Sequence, residues 1–252
     1  MKSKEKKIEK IEKLAGMIQC SLLKANVTER EIKQLCKDAI KYKFGGVCVN
    51  PFYIKLCKEI LTKAKSKAKV IGVVGYPLGC NKTETKIFEA RQCINDGADE
   101  LDVVMNISAF KSGKYGFVKE EIKKIVSAAK AAAAKAAKKD IIVKIIIETG
   151  YLTREEIIKA CKIVKQAGAD FVKSGTGWSK PAEPQTISLM RKVVGKGKGL
   201  GIKAAGGIRT ASQMLALIKA GANIIGTSSG KAIIEELKKL KNLDPASLLE
   251  EI

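Results

Sequence analysis

Short apolar runs punctuate the chain at regular intervals, and each is followed by a longer stretch whose apolar residues recur three and four positions apart. The runs are MIQCSLLK (17–24), GGVCVN (45–50), KVIGVVGYP (69–77), DELDVVMN (99–106), IIVKIIIET (141–149), FVKSGTG (171–177), GIKAAGGI (201–208) and NIIGTSSG (223–230). Rich in β-branched residues and bounded by glycine, they predict strands; the runs near 145 are apolar on both faces, as buried parallel strands are. The intervening stretches predict amphipathic helices. An additional helix is predicted over 3–15, where Ile8, Ile11, Leu14 and Ala15 form one face, and it should cap one end of the domain. Thr28 with Glu31 and Thr153 with Glu156 have capping-box spacing, and Thr210 caps a third helix. Pro51 and Pro184 open helices, Gly97, Gly168 and Gly221 end them, and the alanine-rich segment predicts a helix from Val118 to Lys138.

Eight strands alternating with eight helices in 252 residues predict a (β/α)8 (TIM) barrel with an extra N-terminal helix, spanning 1–252 as one domain. An open doubly wound sheet is the alternative, but it does not need so many units of even length. In a barrel the functional residues gather where strands give way to the following loops.

Composition narrows the chemistry. No apolar run approaches membrane-spanning length, and the charged start lacks the pattern of a secretory signal, so a soluble cytoplasmic protein with no membrane partner is expected. Seven cysteines occur without a Cys-x-x-Cys pair and are expected to be reduced. Histidine is absent, which excludes Ser-His-Asp triads, Cys-His dyads and His-ligated zinc. The net charge of +22 favours anionic partners. Its lysines lie mainly on outer helix faces, and aromatics make up 5% of the chain, so nucleic acid is disfavoured as a partner.

Four charged residues interrupt the apolar strands: Asp102, Lys144, Lys173 and Lys203. One lysine near a strand end often only snorkels to the rim. Four such residues on strands four to seven of a barrel must instead pair in a small interior, where perturbed proton affinities concentrate. A lysine attacks a carbonyl only as the neutral amine, and a neighbouring ammonium favours that form. Lys173, followed by small residues, is the expected nucleophile, Lys203 the perturbing cation, and Asp102 the proton carrier. Lys144 could tune this field or merely pair with Asp102. Cys48 could face the mouth or be a small core residue. The turns AGGIR (205–209) and GTSSG (226–230) bring glycines to two helix N-termini, an arrangement suited to phosphate in the positions expected of a barrel.

These residues, with VCVNP (47–51), GYPLG (75–79), TETKIFEA (83–90), ELDVVMN (100–106) and KIIIET (144–149), resemble the deoxyribose-phosphate aldolase family over nearly the whole chain. The resemblance implies a class I aldolase that cleaves 2-deoxy-D-ribose 5-phosphate reversibly to acetaldehyde and D-glyceraldehyde 3-phosphate, with no metal and no organic cofactor. It places the Schiff-base lysine at Lys173, the second active-site lysine at Lys203 and the proton-shuttling aspartate at Asp102. It places phosphate binding at Gly177, Gly206, Gly207, Arg209, Gly226, Ser228 and Ser229. The expected partners are a phosphorylated sugar and small aldehydes, and pairing into a dimer or tetramer is open. The chain departs from the family pattern in its first strand, where Gln19 and Cys20 replace an acid and a histidine. It departs again after Lys173, with Gly175, Trp178 and the segment Pro181-Ala182-Glu183-Pro184. Rival readings are a Schiff-base aldolase for another phosphorylated sugar and a catalytically weak basic binding protein.

Overall fold

The computed structural model describes residues 2–136, 140–195 and 199–239. Eight parallel strands close into a barrel: β1 (Ile18–Leu22), β2 (Gly46–Val49), β3 (Lys69–Val74), β4 (Glu100–Val104), β5 (Ile142–Ile146), β6 (Phe171–Lys173), β7 (Gly201–Ala205) and β8 (Ile224–Thr227). Each pairs with the next, and β8 pairs with β1. The expected (β/α)8 architecture is therefore the one observed, and the open sheet is excluded by closure.

Helices follow the strands: α2 (Glu29–Tyr42), α3 (Ile54–Lys63), α4 (Thr83–Asn95), α5 (Ile107–Lys111), α6 (Tyr115–Lys135), α7 (Arg154–Gln166), α8 (Pro184–Val194), α9 (Ala211–Lys219) and α10 (Gly230–Lys239). The extra helix α1 (Lys2–Gly16) precedes β1, buries Leu14 and Ala15, and packs against α10 and β1. Both predicted capping boxes form, at Thr28–Glu31 and Thr153–Glu156, and Thr210 makes a third with Gln213.

The strands are shorter than their apolar runs, and beyond β1, β6, β7 and β8 the following residues line the mouth. Three details differ from the sequence reading. Pro51 opens a single 3-10 turn, Pro51–Tyr53, before α3 begins. A short helix, α5, intervenes after β4, with the Asn106 side chain accepting from Ala109 N. Helix α6 starts one turn early, at Tyr115, and its predicted end at Lys138 lies outside the described residues.

Most of the apolar core lies between the barrel and its helices. A second, smaller cluster of Cys48, Ile71 and Val73 is joined by Leu23 and Tyr76. The loop after β3 is seated by Gly79, whose φ of +70° and approach to Met105 O leave no room for a side chain. Lys86 of α4 is wholly buried and ties the same region together, donating to Val104 O at 3.0 Å and Glu121 Oε2 at 3.0 Å.

Candidate active site

Residues two apart on a strand share a face, so Glu100 and Asp102 of β4 point the same way. The pairing register sets Lys144 of β5 opposite Asp102 and Lys203 of β7 opposite Lys173 of β6. The result is one buried cluster with Asp102, fully inaccessible, at its centre. Asp102 Oδ1 accepts from Lys144 Nζ at 3.0 Å. Its Oδ2 accepts from Lys173 Nζ at 2.7 Å and from Lys203 Nζ at 2.6 Å. Lys144 also pairs with Glu100 at 2.5 Å. Gln19 of β1 completes the ring: its Oε1 accepts from Lys203 at 2.6 Å and its Nε2 donates to Glu100 at 2.7 Å.

Three ammonium groups thus face two carboxylates, Asp102 and Glu100, leaving one positive charge in excess when all are ionised. Burial of such a set is tolerated only because every polar atom finds a partner; among the described residues no buried side-chain N or O lacks one. Burial and the neighbouring charges together set the proton affinities. Burial pushes the Lys203 ammonium down to about 8, with Lys173 and Lys144 adding to the shift and Asp102 opposing it. Burial alone would raise the Asp102 carboxyl, but Lys144, Lys173 and Lys203 together hold it well below the usual carboxylate range. Lys144 is likewise penalised by burial, yet Asp102 and Glu100 leave it more basic than a free lysine. Lys144 is therefore locked as a cation between two acids. The Cys48 thiol donates to Asp102 Oδ2 at 3.7 Å, and burial followed by Asp102 pushes it up, so it stays a thiol.

A cavity of about 310 Å³ opens beside this cluster. Lys173 and Lys203 reach it, whereas Asp102 and Lys144 lie behind them. Gly177, Gly206, Gly207, Arg209, Gly226 and Ser228 line it, and Ser229 sits next to Ser228 without lining it. Gly206 and Gly207 adopt φ of +115° and +66°, a left-handed pair that side-chained residues rarely form. A Cβ at Gly226 would meet Lys203 Cε at 3.1 Å, so glycine there leaves Lys203 its channel.

The loop after β6 is held by Glu148, which is buried and has φ of +54°. Its carboxylate accepts from Thr176 N at 2.9 Å and from the hydroxyls of Thr176 and Ser179. Trp178 on this loop donates its indole N–H to the Tyr76 hydroxyl at 3.1 Å, and Tyr76 donates to Thr176 O at 3.0 Å. A Cβ at Gly175 would lie 2.9 Å from Glu148 Oε1, so this departure from the family pattern accompanies a close approach.

The sequence reading did not single out Glu100, Glu148, Lys24 or Thr227, and it noted Gln19 only as a departure. Glu100 was detectable from its two-residue spacing to Asp102. Lys24, exposed at the cavity edge, was detectable from its place just beyond β1. Glu148 and Thr227 carry no signal beyond lying at strand exits.

A family model described as DeoC/LacD family aldolase matches residues 4–236. The deoxyribose-phosphate aldolase of Thermococcus gammatolerans is 52% identical over 223 residues, covering 88% of this chain and 95% of the relative. That of Caldicellulosiruptor saccharolyticus is 52% identical over 224 residues, covering 88% and 97%. Among solved structures, the tetrameric deoxyribose phosphate aldolase of Aeropyrum pernix superposes with a TM-score of 0.81 at 31% identity, covering 93% of this chain and 96% of that one. An aldolase called QR15 gives 0.81 at 40% identity, covering 90% and 96%. No helix among the described residues is long and apolar enough to cross a membrane.

Proposed function

This chain belongs to the DeoC/LacD family of aldolases, and from that premise we propose that it cleaves 2-deoxy-D-ribose 5-phosphate reversibly to acetaldehyde and D-glyceraldehyde 3-phosphate through a Schiff base on Lys173. The observation that carries the reading is a single carboxylate oxygen, Asp102 Oδ2, shared by two lysines that both reach the cavity.

The neutral Lys173 amine attacks the aldehyde carbon of the open-chain sugar, and loss of water, with one proton taken up from Lys203, gives the protonated imine. A base removes the proton of the C3 hydroxyl. The C2–C3 bond then breaks, and its electron pair flows into the imine to make an enamine, releasing glyceraldehyde 3-phosphate. Protonation of the enamine carbon and hydrolysis free acetaldehyde and the lysine. Lys203, at about 8, is the group in the cluster suited to trading a proton near neutrality. Asp102 touches both amines, so a proton moving between them passes its Oδ2. Held well below the usual range, Asp102 carries that proton in transit and does not store it. Lys144, pinned between Glu100 and Asp102, keeps the carboxylate ionised and in place.

The phosphate lies against Gly177, Gly206, Gly207 and Gly226, with Arg209, Ser228 and Ser229 supplying further donors and the N-terminus of α10 its positive end. The whole activity resides in one barrel domain, the protein works in the cytoplasm, and it assembles as a homo-oligomer as the tetrameric relative does. Gln19 and Gly175 favour one second reading, the same chemistry on another phosphorylated sugar. Comparing kcat/KM across pentose phosphates separates the two.

Borohydride trapping with 2-deoxyribose 5-phosphate, followed by intact-mass and peptide mapping, tests the chemistry. The expected result is a reduced adduct on Lys173 that disappears in Lys173→Met. An adduct spread over surface lysines, or none, refutes it.

A further inference from the structure

The loops after β7 and β8 are joined by one side chain that the site description leaves without a role. Thr227, the last residue of β8, is buried at 4% exposure. Its hydroxyl donates to Ile208 O at 2.6 Å and accepts from Ser229 N at 2.9 Å. Both hydroxyl functions are therefore committed, one to each loop. The Ile208 bond reaches across to the Gly206–Gly207–Ile208 turn, and Thr227 and Ile208 both line the cavity.

We propose that Thr227 is a positioning residue for the phosphate of the substrate, fixing the separation of the two glycine loops and deciding which backbone groups face the anion. This rests on the phosphate placement proposed above. Two consequences of the geometry carry it. First, a carbonyl oxygen repels phosphate, and Thr227 holds the Ile208 carbonyl in a hydrogen bond at the cavity wall. Thr227 is the donor that holds this carbonyl, and the glycines before it leave the turn that carries it more freedom to shift once the bond is lost. Second, the Ser229 N–H points back to Thr227 and is not available to a ligand. The anion must then use the hydroxyl of Ser229 and not its N–H, together with Ser228, Arg209 and the first-turn N–H groups of α10, whose donors have no partner within the helix. Binding through preformed donors avoids the cost of ordering two mobile loops at each encounter.

Thr227→Val keeps the shape and removes both hydrogen bonds; Thr227→Ser keeps both bonds and removes one methyl. The assay is cleavage of 2-deoxyribose 5-phosphate and of unphosphorylated 2-deoxyribose, with inorganic phosphate as competitive inhibitor. For Thr227→Val the KM for the phosphorylated sugar and the inhibition constant of phosphate should rise together by about tenfold or more, the equivalent of one to two lost hydrogen bonds. The preference for the phosphorylated sugar, as a ratio of kcat/KM values, should fall by the same factor, and Thr227→Ser should restore it. An unchanged phosphate inhibition constant in Thr227→Val overturns the proposal. So does a loss that is equal for both sugars, since that is general damage to the fold. If the wild type neither prefers the phosphorylated sugar nor is inhibited by phosphate, the phosphate placement itself is wrong, and this proposal falls with it before any variant is made.

Discussion

Replacing Asp102 by Asn removes one charge and no volume, and the structure fixes what that costs. Asp102 Oδ1 serves Lys144 and Oδ2 serves both Lys173 and Lys203. An asparagine has one oxygen. Turned toward Lys173 and Lys203, it presents its NH2 to the Lys144 ammonium, donor against donor; turned the other way, it does so to two ammoniums. The cluster is left with one carboxylate, Glu100, against three lysines that are almost wholly inaccessible. Breaking a buried ion pair from one side costs roughly 3–5 kcal/mol. At ~2–4 °C per kcal/mol for a chain of this size, the melting temperature at pH 7 should fall by on the order of 10 °C. The sign of the pH dependence is also set. Without Asp102 the native lysines release protons at lower pH than in the unfolded chain. Between neutrality and about pH 10 the native state therefore binds fewer protons, and its stability deficit shrinks as pH rises. Melting followed by circular dichroism at several pH values measures both effects. Turnover should drop by roughly 10²–10⁴-fold, the usual worth of a positioned proton-transfer group. An Asp102→Asn protein that melts with the wild type at pH 7 and shows the same pH slope would falsify the argument.

Other expectations follow from single contacts. Lys203 is pushed down to about 8, and once neutral it can take the Lys173 proton through Asp102 Oδ2 and free the attacking amine, so kcat/KM should climb with pH and level off above that value; a flat profile from pH 6 to 9 would mean that the cluster's excess proton is irrelevant to turnover. Ser229→Asp sets a carboxylate at the N-terminal end of α10 and should raise KM for the phosphorylated sugar while sparing acetaldehyde self-condensation. An unchanged KM counts against the phosphate placement. Lys86→Met strands the Glu121 carboxylate and should cost roughly 3–5 kcal/mol. Adding Glu121→Gln should recover much of it, and a denaturant-melt double-mutant cycle with no coupling would deny the pair its role.

Much of this was legible in the sequence because barrel strands are the places where periodicity is least ambiguous. Ile142–Ile146 reads as a strand from its β-branched run alone, and Thr28–Glu31 announces the start of α2 by spacing. The acidic and basic interruptions of the strands located Asp102, Lys173 and Lys203. What stayed hidden depends on neighbours that only closure supplies. The sequence left Lys144 either tuning the field or pairing with Asp102, and only the register added Glu100 as its second partner. Gln19 read as a lost acid, yet an amide both donates and accepts, and here it does each once, to Glu100 and from Lys203. Thr227 sat unnoticed inside a motif because hydroxyls are common at helix starts, and nothing in GTSSG says which one reaches across to Ile208.

The cluster is divided unevenly along the chain. Its acids and its amide, Gln19, Glu100 and Asp102, come from β1 and β4, while every ammonium comes from β5, β6 or β7. The first half of the barrel standing alone would hold carboxylates with no cation to meet them, and the second half would hold lysines with no acid. Neither half can dry its own interior. Each must keep its charged face wet until the other arrives, and the two faces attract one another as they meet. A barrel closed with one of these strands missing or slipped would bury unpaired charge, which is strongly destabilising.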